Sequence, residues 1–128
     1  MTLNREIKRF ILIGLISTLI NYLVYILTIK IYSNIPLSSF LGYSSGLVYS
    51  FIFGKKYVFK DLSKINTKLI TKFLLVYFLG GLGMTVIIYF LIEFGLNYKA
   101  AWIFGLIFSV INNFIGCKLY VFNSKKRE

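Results

Sequence analysis

The chain has 128 residues, of which 58% are hydrophobic and 19% aromatic, with a mean hydropathy of +0.78. A small domain leaves much of its surface in water and cannot hide that much apolar area, so a soluble enzyme is excluded. Fifteen Lys and Arg stand against four Asp and Glu, a net charge of +11, and in so apolar a chain this excess points to an anionic membrane surface rather than nucleic acid.

Four charge-free apolar runs follow one another along the chain. Residues 10–29 and 73–92 are 20 residues each, about 30 Å of helix at 1.5 Å per residue, which matches the hydrocarbon thickness of a bilayer. The runs at about 35–54 and about 100–117 carry more Gly, Ser and Asn. The expected fold is therefore an all-α integral membrane protein with four transmembrane helices. Arg5, Lys8 and Arg9 precede the first run. Lys55, Lys56, Lys60, Lys64, Lys68 and Lys72 separate the second from the third, and Lys118, Lys125, Lys126 and Arg127 follow the fourth. Only Lys30 and Lys99 fall in the two short links, so the positive-inside rule places both termini and the middle loop in the cytoplasm. The first run starts like a signal peptide, but it exceeds a usual h-region and no small-x-small site follows, so it reads as an uncleaved anchor.

An offset of 63 aligns residues 7–60 with 70–123 without a gap. Phe10/Phe73, Leu12/Leu75, Asn34/Asn97 and Gly42/Gly105 are identical, and matches then cluster at Phe51-Ile52/Phe114-Ile115, Lys55/Lys118 and Tyr57-Val58-Phe59/Tyr120-Val121-Phe122. Leu and Ile coincide often by chance; a Lys followed by Tyr-Val-Phe at one offset does not. The chain thus reads as one membrane domain over 1–128 built from two helical hairpins in the same orientation, a parallel repeat about the membrane normal.

Gly42, Gly46, Ser50 and Gly54 recur every four residues in the second run, as do Ala101, Gly105, Ser109, Asn113 and Cys117 in the fourth. Such stripes of small side chains let helices pack closely in lipid. Gly80, Gly81 and Gly83 in the third run serve the same end or loosen that helix. Asn21, Asn112 and Asn113 each carry an amide that is costly to leave unpaired in hydrocarbon. With Ser17, Thr18, Tyr25 and Thr28, Asn21 makes one side of the first helix polar. These positions either bond helix to helix or line a path for a headgroup; the candidates for such a path are Thr18, Asn21, Asn112 and Asn113.

At the basic ends, Lys55 and Lys118 suit a helix C-terminus electrostatically, and Tyr57, Phe59, Tyr120 and Phe122 suit an aromatic belt. Neither effect explains why Lys-x-Tyr-Val-Phe recurs in register. Brought together by a pseudo-twofold axis, the two lysines would form a paired cation site for a lipid phosphate. The spacing of Lys56, Lys60, Lys64, Lys68 and Lys72, with Leu62, Ile65 and Leu69 between them, predicts an amphipathic segment lying on the inner leaflet. Ionisable groups are missing from the centres of the runs, Glu93 standing at an outer end, which argues against a proton-coupled exporter.

Arg9-Phe10 with Gly14-x-x-x-Thr18-x-x-Asn21, the ends Lys55-Lys56-Tyr57-Val58-Phe59 and Lys118-Leu119-Tyr120-Val121-Phe122, and Asn113-Phe114 resemble the GtrA-like family of small four-span membrane proteins. The chain departs from the family pattern at Gly54 and Cys117, where Asn is frequent, and in having Lys and Tyr for frequent Arg and Trp. The resemblance implies translocation of a polyprenyl-phosphate-linked sugar across the cytoplasmic membrane for cell-surface polysaccharide synthesis, or support of the glycosyltransferases that make such polymers. On this view a lipid phosphate is held by Lys55, Lys118, Arg9, Tyr57 and Tyr120. No acidic pair is available for a nucleotide-sugar metal, Asp61 being the only Asp, so the chain is expected to be no enzyme and to need no cofactor or metal. The expected partners are the lipid-linked sugar, anionic lipid and a membrane glycosyltransferase; a homo-oligomer is compatible with four short spans, and nucleic acid is not expected.

Overall fold

The computed structural model describes residues 3–122, and every regular element among them is helical. The basic residues Lys125, Lys126 and Arg127 lie outside the described residues. The chain divides into two compact units, Met1–Leu62 and Ser63–Glu128. The first contains α1 (Leu3–Tyr32), α2 (Ile35–Phe53) and a π-turn at Gly54–Val58; the second contains α3 (Thr67–Glu93), α4 (Tyr98–Gly116) and a π-turn at Cys117–Val121.

Helix boundaries follow local chemistry. Asn34 accepts a hydrogen bond from the Leu37 N–H (3.0 Å) to cap α2, and Asn97 accepts from the Lys99 N–H (2.8 Å) to cap α4. Asn66 caps α3 by accepting from Leu69 N–H at 2.8 Å. An Asn oxygen in this place satisfies a donor that the helix itself leaves orphaned. The chain turns from α3 to α4 through Gly95, whose φ of +94° is costly for any residue with a Cβ.

Among the described residues, three helical stretches are long and apolar enough to cross a membrane: Leu3–Tyr32, Thr67–Glu93 and Lys99–Val121. The first two extend beyond the apolar runs read from sequence, because the flanking basic turns continue the same helix. By the same criteria α2, with 19 residues rich in Ser and Gly, is not among the three.

In the first unit α1 and α2 run antiparallel. Ser17 Oγ donates to the Gly46 carbonyl at 2.7 Å, and a turn further along α1, Asn21 lies against Gly42, a turn earlier in α2. A Cβ on Gly42 would stand 2.6 Å from the Asn21 carbonyl oxygen, so only hydrogen fits there. In the second unit Gly80 gives the same kind of room to Asn112 and Asn113, and Gly105 to Met84 and Ile88. Lipid tails are as apolar as leucine, so hairpins in a membrane are held by close backbone approach and interhelical hydrogen bonds. The opposite face of α1 presents Leu12, Leu15, Leu19, Leu23 and Leu27, all exposed at helical spacing, a surface suited to hydrocarbon.

The expected amphipathic helix between the second and third runs does not form. Residues 59–66 are irregular, Lys60 has a left-handed φ of +49°, and helix resumes only at Thr67. The lysine spacing is therefore divided among a π-turn (Lys56), a loop (Lys60, Lys64) and the start of α3 (Lys68, Lys72). The reason is local: the chain doubles back after the π-turn to bring Asp61 to Lys55, which a continuing helix would prevent.

Candidate functional site

Both hairpins end in the same device. The Phe59 N–H donates to the Gly54 carbonyl (3.0 Å), and the Phe122 N–H donates to the Cys117 carbonyl (2.8 Å), each bond spanning five residues instead of four. Such π-turns widen the helix by one residue and recur at functional positions. The widening tucks Val58 and Val121 inside, each 1% exposed. It also sets Phe59 edge-on to Phe10 (centroids 6.3 Å apart) and Phe122 against Phe73 (6.5 Å). Phe122 is buried, so it serves as a packing anchor and not as a member of an interfacial belt. Tyr57 and Tyr120 remain about half exposed, as an interfacial aromatic should.

A basic side chain from the start of each hairpin reaches each of these tyrosines. The Arg9 guanidinium donates to the Tyr57 carbonyl at 3.1 Å. The Lys72 ammonium stands 4.9 Å from the centre of the Tyr120 ring, within cation–π range. Arg9 and Lys72 are 63 residues apart, as are Tyr57 and Tyr120. Lys72 is not among the candidates read from sequence, yet the offset that pairs Lys55 with Lys118 also pairs it with Arg9.

The two matched lysines sit differently. Lys55 is only 7% exposed, and its ammonium turns back into its own loop. It donates to the Asp61 carbonyl at 2.6 Å and lies 3.9 Å from Asp61 Oδ1, while the Asp61 N–H donates to the Lys55 carbonyl at 2.9 Å. Asp61 is itself buried. Lys118 is half-buried beside the Phe114 ring, 5.9 Å from its centre.

The polar candidates within the helices are placed as follows. Thr18 is exposed and donates to the Gly14 carbonyl of its own helix (2.9 Å). Asn21 lies in the α1/α2 seam on Gly42. The Asn112 amide donates to the Val76 carbonyl of α3 (3.0 Å) and, more weakly, to Asn113 Oδ1 (3.3 Å), so it fastens α4 to α3. Glu93 is the last residue of α3 and exposed, at a helix end and not at mid-depth.

The family model of the GtrA/DPMS transmembrane domain matches residues 9–122, from the arginine that meets the first π-turn to the phenylalanine that closes the second. The chain belongs to this family. A relative, the uncharacterized membrane protein YngA of Bacillus subtilis (strain 168), is 26% identical over 131 residues, covering 99% of this chain and 88% of the relative. Membership places the protein in a membrane and points to a role in processes involving polyprenyl-phosphate sugars.

Proposed function

We propose that the protein translocates a polyprenyl-phosphate-linked sugar across the cytoplasmic membrane for cell-surface polysaccharide synthesis. The lipid phosphate is held at the basic π-turn ends, the isoprenoid tail stays in lipid, and the sugar crosses beside the helices. The chain performs no sugar transfer itself. The observation that carries this reading is the recurrence, at one offset, of a π-turn bearing Lys and Tyr met by a basic residue from the start of the same hairpin. Anionic headgroups are captured by clustered Lys and Arg next to membrane helices.

In this account α2 crosses as well. Its 19 residues make about 28 Å of helix, and its Gly42 and Gly46 pack against α1. Four spans in two hairpins of like orientation put both termini and both π-turns on the cytoplasmic side, where the lysines are. The test is a deletion strain. Lipid-linked sugar should accumulate on the cytoplasmic face while the surface polymer loses that sugar, and the wild-type chain should reverse both.

One observation favours a second reading, a non-transporting partner that anchors a glycosyltransferase: the Asn112 amide is spent on fastening α4 to α3. In that case the deletion would lower the lipid-linked sugar itself, with no build-up.

A further inference from the structure

We propose that Asn21 and Tyr25, on α1 near the middle of the membrane, take the hydroxyl groups of the sugar as it crosses along the first hairpin. This rests on the reading that the chain translocates a lipid-linked sugar, and it names the residues that meet the uncharged part of that lipid.

Asn21 stands eleven residues after Phe10 and eight before Ile29, so about 12–17 Å of helix separates it from either end of the apolar run. Several hydroxyls of this hairpin are spent on backbone. Thr18 donates to the Gly14 carbonyl (2.9 Å), Thr28 to Val24 (2.6 Å) and Ser45 to Leu41 (2.8 Å), each four residues back in its own helix. Ser17 reaches the Gly46 carbonyl of α2 at 2.7 Å. By contrast, the Asn21 amide and the Tyr25 hydroxyl have no hydrogen-bond partner among the described residues. Both residues are half-buried, and neither polar group is sealed inside the hairpin. An amide left unbonded at this depth is costly, so it calls for a partner.

The second hairpin shows that packing does not require this polarity. The 63-residue offset pairs Gly42 with Gly105, Asn21 with Met84 and Tyr25 with Ile88. A Cβ on Gly42 would stand 2.7 Å from Asn21 Oδ1 and 3.2 Å from Tyr25 Cβ. On Gly105 it would stand 3.0 Å from Met84 Cγ and 2.8 Å from Ile88 Cγ1. Two side chains one helical turn apart thus close on the same glycine in each hairpin, polar in the first and apolar in the second.

A carboxamide and a phenol each donate and accept without carrying charge, which matches a sugar hydroxyl. A phosphate at this depth would need a cation, and residues 10–29 and 35–54 contain no Lys or Arg. The charged part of the lipid therefore stays at the basic ends, and only the sugar meets Asn21 and Tyr25.

The test compares two labelled lipids, polyprenyl-phosphate glucose and sugar-free polyprenyl phosphate, for transbilayer movement in vesicles holding the full chain. Asn21→Leu should slow the glucose lipid about fivefold and Tyr25→Phe about threefold, the scale of one lost hydrogen bond. Both variants should leave the sugar-free lipid within about twofold and should melt no lower than the wild type, since no bond within the protein is lost. Unchanged rates, or equal slowing of both lipids, in folded variants would overturn the assignment while leaving translocation intact. Asn21→Leu that melts lower yet moves the glucose lipid at the wild-type rate would likewise overturn it, showing that the amide bonds helix to helix within or between copies. Failure of the wild-type chain to move the glucose lipid would overturn both.

Discussion

Replacing Lys55 by Met and Asp61 by Asn, singly and together, probes the latch on which the first π-turn depends. At the observed 3.9 Å the two charges attract with ~4 kcal/mol at an effective dielectric of about 20, before desolvation is subtracted. Lys55→Met removes this attraction and the 2.6 Å bond to the Asp61 carbonyl, and it strands a buried carboxylate, so it should cost about 3–5 kcal/mol. Asp61→Asn keeps the main-chain acceptor and loses the carboxylate attraction; about 1.5–3 kcal/mol is expected, the range for a hydrogen bond to a charged group. The double variant should be less destabilised than the sum, with a coupling of about 1–3 kcal/mol. Unfolding in mixed micelles, followed by circular dichroism, measures all three. Additive losses would show that the pair does not hold the loop.

Gly42→Ala should destabilise the first hairpin by about 1–3 kcal/mol, because its Cβ would lie 2.6 Å from a backbone oxygen of α1 that cannot swing away, and a loss of α1/α2 cross-linking would report it. Gly54→Ala should be neutral or stabilising by about 0.5–1 kcal/mol in the same unfolding assay, since its φ of −62° is helical and nothing stands within 4 Å of the added methyl. Asn112→Leu should weaken the second hairpin by about 0.6–2 kcal/mol by removing the bond to Val76, read as earlier unfolding of that half by hydrogen exchange. In a Cys117→Ala background, cysteine at Leu62, which is 95% exposed, should react with an impermeant thiol reagent only from the cytoplasmic side, and cysteine at Lys99 only from outside.

Much of this was legible in the sequence because a bilayer imposes few and strict rules. Charge-free runs of about 20 residues marked the long helices. The 63-residue offset paired Asn34 with Asn97, which prove to be matched helix caps, and Lys-x-Tyr-Val-Phe with itself, which proves to be a matched π-turn. What the sequence hid was the direction of individual side chains. A four-residue lysine spacing looks helical whether or not a left-handed residue such as Lys60 breaks the helix. Equal motifs likewise give no sign that Lys55 is turned onto the Asp61 carbonyl six residues later. Lys72 was missed because it stands in the loop charge run, where its correspondence to Arg9 is easily overlooked.

Transbilayer movement in reconstituted vesicles tests the function most directly. With a labelled polyprenyl-phosphate sugar confined to one leaflet, the wild-type chain should speed its appearance on the other side well above the rate of protein-free vesicles, and the Lys72→Gln/Lys118→Gln chain, folded as judged by its melting profile, should fall back toward that rate. A wild-type rate no faster than that of empty vesicles would contradict translocation.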